Sequence, residues 1–188
     1  MKRKIGLAIL FIPALVPAAV TLDFSELHGA DGCSFSALDS QGFHVEGTFG
    51  VWHESHTFIP GDPALQAVGF GDYSFARFTR LDGGQFRFLG LDVSSNAAPF
   101  GQIEILGHSG GWVSFQQALM VQSADRYEGL TSDRPDLWLD DMYVQLFPTP
   151  TSGSMNFDNV RLETVPEPCS VALSGLVSVL AMRQRKRG

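Results

Sequence analysis

The stretch "WHESH" brings together His53, Glu54 and His56, side chains that can bind and use a metal ion. A zinc metalloprotease places two histidines at i and i+4 on a helix, with a glutamate as the general base. Here the histidines stand at i and i+3, beside a strand-like pattern that would send them to opposite faces. The stretch therefore reads as a polar loop rather than a metal centre. A second run, "SADRYEGLTSDRPDLWLDD", holds six acids: Asp125, Glu128, Asp133, Asp136, Asp140 and Asp141. Glycoside hydrolysis needs two carboxylates across a cleft, about 5–9.5 Å apart. Solvated loops, with Arg126 and Arg134 as local partners, are the plainer reading. No Ser-His-Asp spacing, phosphate loop or nucleotide-binding glycine pattern is present. No catalytic residue is expected, and the chain reads as non-enzymatic.

Aromatic side chains offer a different chemistry, because an exposed ring can stack on the apolar face of a sugar. The candidates are Trp52, Trp112, Trp138, Tyr73, Tyr127 and Tyr143. Trp112 follows a Gly-Gly turn and Tyr127 lies in a polar stretch, so these two are expected to be the exposed, glycan-binding pair. Of the 15 phenylalanines, all but Phe11 lie after residue 18, and they are read as core.

The elements that must position these residues are strands. Between Ala19 and Thr164 no long amphipathic helix is evident. Short alternating runs are punctuated by Gly, Asp, Asn and Pro: "VTLDF", "GFHVEGTFGVW", "YSFARFTRL", "QFRFLGLDV", "GQIEIL", "WVSFQQALMV", "LWLDDMYVQLF" and "SMNFDNVRLETV". In "QFRFLGLDV", Phe86 and Phe88 share one face while Leu89, Leu91 and Val93 share the other. That change of phase predicts a bulge near Gly90 or burial of both faces. About eight or nine strands at this spacing predict an all-β sandwich or jelly roll.

The two ends are of another kind. "MKRKIGLAILFIPALVPAAV" has a basic head, an apolar stretch and a small-residue site after Ala18, the outline of a secretory signal peptide over 1–18. At the other end, the apolar run Val171–Met182 would be only ~18 Å long as a helix. A bilayer core is roughly 30 Å thick, so this is a marginal span. Arg183, Arg185, Lys186 and Arg187 follow it and resist translocation. Seven of the 13 Lys and Arg belong to these two ends, which leaves six arginines against all 20 acids between residues 19 and 168, a net charge of −14. Such a body has no electrostatic grip on nucleic acid. Cys33 is its one thiol, so no internal disulfide framework is expected.

Val165, Pro166, Glu167 and Pro168, followed by a short apolar helix over 170–182 and a basic stub over 183–188, closely resemble the sorting tail of PEP-CTERM proteins. The resemblance covers residues 165–188 and implies recognition and cleavage by a membrane-embedded exosortase of a Gram-negative bacterium. It implies signal peptidase as a second export partner and a transient tether in the inner membrane. The cargo would go to the cell surface or the extracellular polysaccharide matrix of a biofilm. Cys169 departs from the small residue expected after the motif. The body, 19–164, is loosely similar to other cargo of this family through Asp23-Phe24 and Phe157-Asp158-Asn159-Val160. That likeness implies a jelly roll of the galactose-binding or carbohydrate-binding-module type, with first and last strands adjacent. It also implies a structural calcium site at Asp23, Glu26 and Asp158, whose hard oxygen ligands suit that ion. The resulting expectation is a structural, adhesive or glycan-binding role, with a secreted carbohydrate-active enzyme as the alternative.

Overall fold

A computed structural model describes residues 17–59, 62–69, 73–96, 101–122, 126–149 and 153–164. The sorting tail and all but the last two residues of the 1–18 leader lie outside the described residues. So do the helices expected there. Ala18–Thr164 forms one compact unit. Its described residues are all-β, with twelve strands: β1 (Ala18–Leu22), β2 (Ala37–Ser40), β3 (Phe43–Phe49), β4 (Val51–Ile59), β5 (Asp62–Val68), β6 (Ser74–Arg80), β7 (Phe86–Ser95), β8 (Gly101–Ser109), β9 (Trp112–Val121), β10 (Glu128–Thr131), β11 (Asp141–Phe147) and β12 (Ser154–Thr164).

The strands form two antiparallel six-stranded sheets packed as a sandwich. The first runs β10-β7-β12-β5-β4, with β1 also paired to β12. The second runs β2-β3-β6-β11-β8-β9. First and last strands are adjacent, Leu22 opposite Val160 and Ala18 opposite Thr164. Alternate residues of each strand point into one shared core, as the period of two requires. Phe43, Val45, Phe78, Ile103, Ile105, Met142 and Val144 come from the second sheet. Phe86, Phe88, Leu91, Leu65, Phe157 and Leu162 meet them from the first. The rings interlock edge to face, Phe43 on Phe86 at 5.2 Å and Phe24 on Phe157 at 5.6 Å.

Two glycines explain departures from a simple alternating reading. The run 42–52 is not one strand. Gly50, at φ +80°, ends β3 in the second sheet and starts β4 in the first. A Cβ at Gly50 would stand 2.7 Å from Ser74 Cα, so the corner excludes any larger residue. The "WHESH" stretch is consequently strand, not loop. At Gly90 the predicted bulge is present, matched by one in β12. Asp158 pairs with Asp92, Arg161 with Gly90 and Leu162 with Phe88, so the two irregularities cancel. Both strands change phase together, and Phe157 and Val160 both reach the core.

The Phe-Asp-Asn-Val sequence serves that bulge. Asn159 takes the left-handed conformation at φ +49°, which asparagine tolerates better than most residues. Its backbone N–H donates to the buried Asp158 carboxylate at 2.6 Å.

Candidate functional site

The outer face of the second sheet carries the arrangement best suited to binding. Strand register puts Glu46, Arg77, Tyr143, Leu106 and Gln116 in one row across it. The next row is Phe49, Phe75, Gln145, Glu104 and Ala118. Rows two residues apart along a strand are roughly 6.8 Å apart, so side chains of neighbouring rows touch.

At one end lies a cluster of rings. Phe49 is 53% exposed and Tyr73 48% exposed. Phe75 joins both, 5.5 Å from Phe49 and 5.5 Å from Tyr73, with the Tyr73 pair nearly parallel at 15°. Phe147 meets Tyr73 at 5.5 Å. Such a solvent-facing group of rings has apolar surface left to cover.

Beside the rings, Gln145 occupies the outer face between the inward-pointing Val144 and Leu146. It is only 8% exposed, yet its side-chain amide has no hydrogen-bond partner among the described residues. Its amide atoms are not among the enclosed ones without a partner, so the amide reaches solvent and is open to a hydroxyl or amine from outside.

The other end of the face is charged and tied together. Arg77 donates to Asp141 at 2.8 Å, lies 3.6 Å from Glu46 and sits 5.8 Å over the Tyr143 ring. The hydrogen bond to Asp141 is the main cause that holds the Arg77 guanidinium further above its ordinary pKa. Burial opposes it, while Tyr143, Asp141 and Glu46 add to it. His44 contacts Asp39 and His108 contacts Asp141, each at 2.5 Å through Nδ1. These contacts fix the sheet's polar side chains in place next to the rings.

The residues singled out from the sequence are distributed differently. Trp112 is exposed, at 80%, but it sits at the tip of the β8–β9 hairpin, at the opposite end of the sheet from the ring cluster. Tyr127 is half-buried, with its hydroxyl enclosed, and lines a recess of about 400 Å³ with Gln122, Arg126 and Glu128. Its ring is not the open platform expected of it. Trp52 is core, and Trp138 is covered by Arg87 at 4.4 Å. The all-core reading of the phenylalanines also needs correction, since Phe49, Phe75 and Phe147 face outward.

His53, Glu54 and His56 lie on β4 and serve the fold. Glu54 accepts the Gly29 N–H at 2.7 Å and contacts His56 Nε2 at 3.2 Å. The His56 backbone N–H donates to Asp31 at 2.7 Å. Together they staple the 28–34 segment along the edge of the first sheet.

The calcium candidates are likewise engaged separately. Asp23 accepts the Ser25 N–H at 3.2 Å, Glu26 accepts the Ser40 hydroxyl at 2.7 Å, and Asp158 serves Asn159. Among the described residues, no group of three or more His, Cys, Asp or Glu side chains is placed to hold a metal ion.

No family model and no curated protein matches this sequence. Solved structures with a similar fold include a DUF4465 family protein from Bacteroides caccae, at TM-score 0.48 and 10% identity, covering 77% of this chain and 98% of that one. A family 29 carbohydrate-binding module from Piromyces equi has TM-score 0.46 and 13% identity, covering 79% of this chain and 91% of that one. A second family 29 module, a point mutant complexed with mannohexaose, has TM-score 0.47 and 17% identity, covering 80% of this chain and 94% of that one. At this similarity the functional assignment rests on the geometry of the face itself.

Proposed function

We propose that this chain is an exported, non-enzymatic glycan-binding β-sandwich that acts at the cell surface or in the extracellular polysaccharide matrix. The observation that supports binding is the open ring cluster of Phe49, Tyr73, Phe75 and Phe147 beside the unpartnered amide of Gln145. Rings cover the apolar face of a pyranose, and a fixed amide selects the orientation of its hydroxyls. This is the combination of apolar surface and a few placed polar groups that small-ligand recognition uses. The double variant Phe49→Ala/Tyr73→Ala should erase signals on a glycan array while the protein stays folded. A flat array for the unaltered chain would overturn the binding reading. Polysaccharide digestion by the purified chain would replace it with the enzyme alternative.

Delivery is the second part of the proposal, and it rests on the order and spacing of residues 165–188 alone. Exosortase would recognise Pro166, Glu167 and Pro168, with Arg183 to Arg187 holding the tail at the inner membrane until cleavage. In a host that encodes an exosortase, replacing Pro166 and Glu167 with alanine should leave an uncut, membrane-held precursor. Normal maturation of that variant would remove the sorting assignment.

A further inference from the structure

The charge around the rings narrows the class of glycan. The outer face of the second sheet carries four carboxylates: Asp39 on β2, Glu46 on β3, Glu104 on β8 and Asp141 on β11. Against them stands one guanidinium, Arg77, already committed to Asp141 and Glu46. Counting His44 and His108 as neutral, the face has an excess of three negative charges over this one cation. Asp39 is open to solvent, with its side chain 61% exposed, and Glu46 is partly so. No lysine occurs anywhere between residues 17 and 164. The field of the surrounding body therefore has the same sign as the face.

Acids alone would not define a site. Here Glu104, which accepts from the Gln116 amide at 2.5 Å, shares a row with the rings and Gln145, Glu46 lies one row away, and Asp39 and Asp141 lie two rows away. The nearly buried Gln145 amide lacks a partner among the described residues. Glu104 is the direct cross-strand neighbour of Gln145, and Phe75 is its neighbour on the other side. One ring, one amide and one carboxylate thus stand side by side across three strands. A uronate, sulfate or phosphate polymer would be repelled from this surface. A neutral polymer would gain nothing from its charge. A sugar bearing an ammonium group gains from every part: its ring stacks, its hydroxyls meet the amide and its charge meets the carboxylates.

Resting on the glycan-binding reading, we infer that the preferred ligand is an amino-sugar polymer with free, non-acetylated amines. Titration calorimetry of the full-length chain with three β-linked hexamers, of glucosamine, N-acetylglucosamine and glucose, tests it at low salt and near-neutral pH. The glucosamine hexamer should bind about tenfold or more tighter than the other two, with the gap closing in high salt as exposed charges are screened. Asp39→Asn/Glu46→Gln should narrow that gap, with the melting temperature read alongside as the control for folding. Equal affinity for all three hexamers would overturn the amino-sugar inference and leave glycan binding standing. So would tighter binding of a polyuronate. Failure of all three hexamers together with a flat glycan array would overturn the underlying reading. Hexalysine binding as tightly as the glucosamine hexamer would also overturn the inference, because charge alone would then suffice.

Discussion

The two sheets present outer faces of opposite kind. On the first, polar side chains satisfy one another. Asn156 donates to Asn96 at 2.7 Å, Asn96 donates to Ser154 at 2.7 Å, and Gln66 reaches the same Ser154 at 3.3 Å. Further along, Arg161 donates to Asp92 at 2.9 Å and Asn159 to the same carboxylate at 3.2 Å. On the second, Gln145 is almost as deeply placed but its amide has no such network, and the rings next to it are bare. Buried polar groups are costly unless paired. The difference separates polar groups bonded to one another within the fold from an amide and rings that face solvent, and only the latter have something to offer a ligand.

Substitutions can break or sharpen that contrast. The largest effect should come from the core on which both faces rest. Phe157→Ala removes a ring touching Phe24, Trp52 and Phe78 and should cost about 3–5 kcal/mol in urea unfolding. It should disable both faces together. Asn156→Ala strikes the first face alone, leaves Asn96 short of a partner in a buried setting and should cost about 1–3 kcal/mol by the same measurement. An undiminished melting point would mean that the first face is no more satisfied than the second.

Tyr73→Ala should cost more than about 1 kcal/mol of glycan affinity, read by calorimetry, while changing stability far less than Asn156→Ala does. Smallest in stability terms is Gln145→Leu. It removes no hydrogen bond within the described residues, so its unfolding free energy should move by no more than about 1 kcal/mol, in either direction. Binding should nevertheless weaken. Strong destabilisation by Gln145→Leu would show that the amide is structural after all, and the comparison between the faces would collapse.

Much of this fold is legible in the alternation of single strands. "YSFARFTRL" already separates Ser74, Ala76 and Phe78 from Phe75, Arg77 and Thr79, and the structure keeps that division. The phase change at Gly90 is legible for the same reason. What alternation conceals is the partner across space. Gly50 looks like one more outward position in a long alternating strand, but a positive φ and the proximity of Ser74 make it a change of sheet. The "WHESH" stretch looks available for chemistry until its Glu54 carboxylate and His56 backbone N–H are seen to hold the 28–34 segment.

The rings were harder to assign. Trp112 is as exposed as its turn suggests, yet it lies far from the other exposed aromatics along the sheet. The cluster that matters draws on β3, the residue before β6, β6 itself and β11, which no local pattern links. A signal was present in the parity of Phe75 and Phe147 relative to the core residues Phe78 and Leu146, which places both on the side away from the core. That signal becomes readable only once one face of each strand is known to be inside.

From the residues alone follow the all-β class, the groups of side chains that share each strand face and the strongly acidic balance of the body. These depend on neighbours two positions apart and on composition, which the chain states directly. Which face is covered, which carboxylates are spent on staples and which amide is left without a partner were decided only by tertiary structure. Those outcomes depend on strand pairing across dozens of residues, and a one-residue shift in register would have exchanged the inside for the outside.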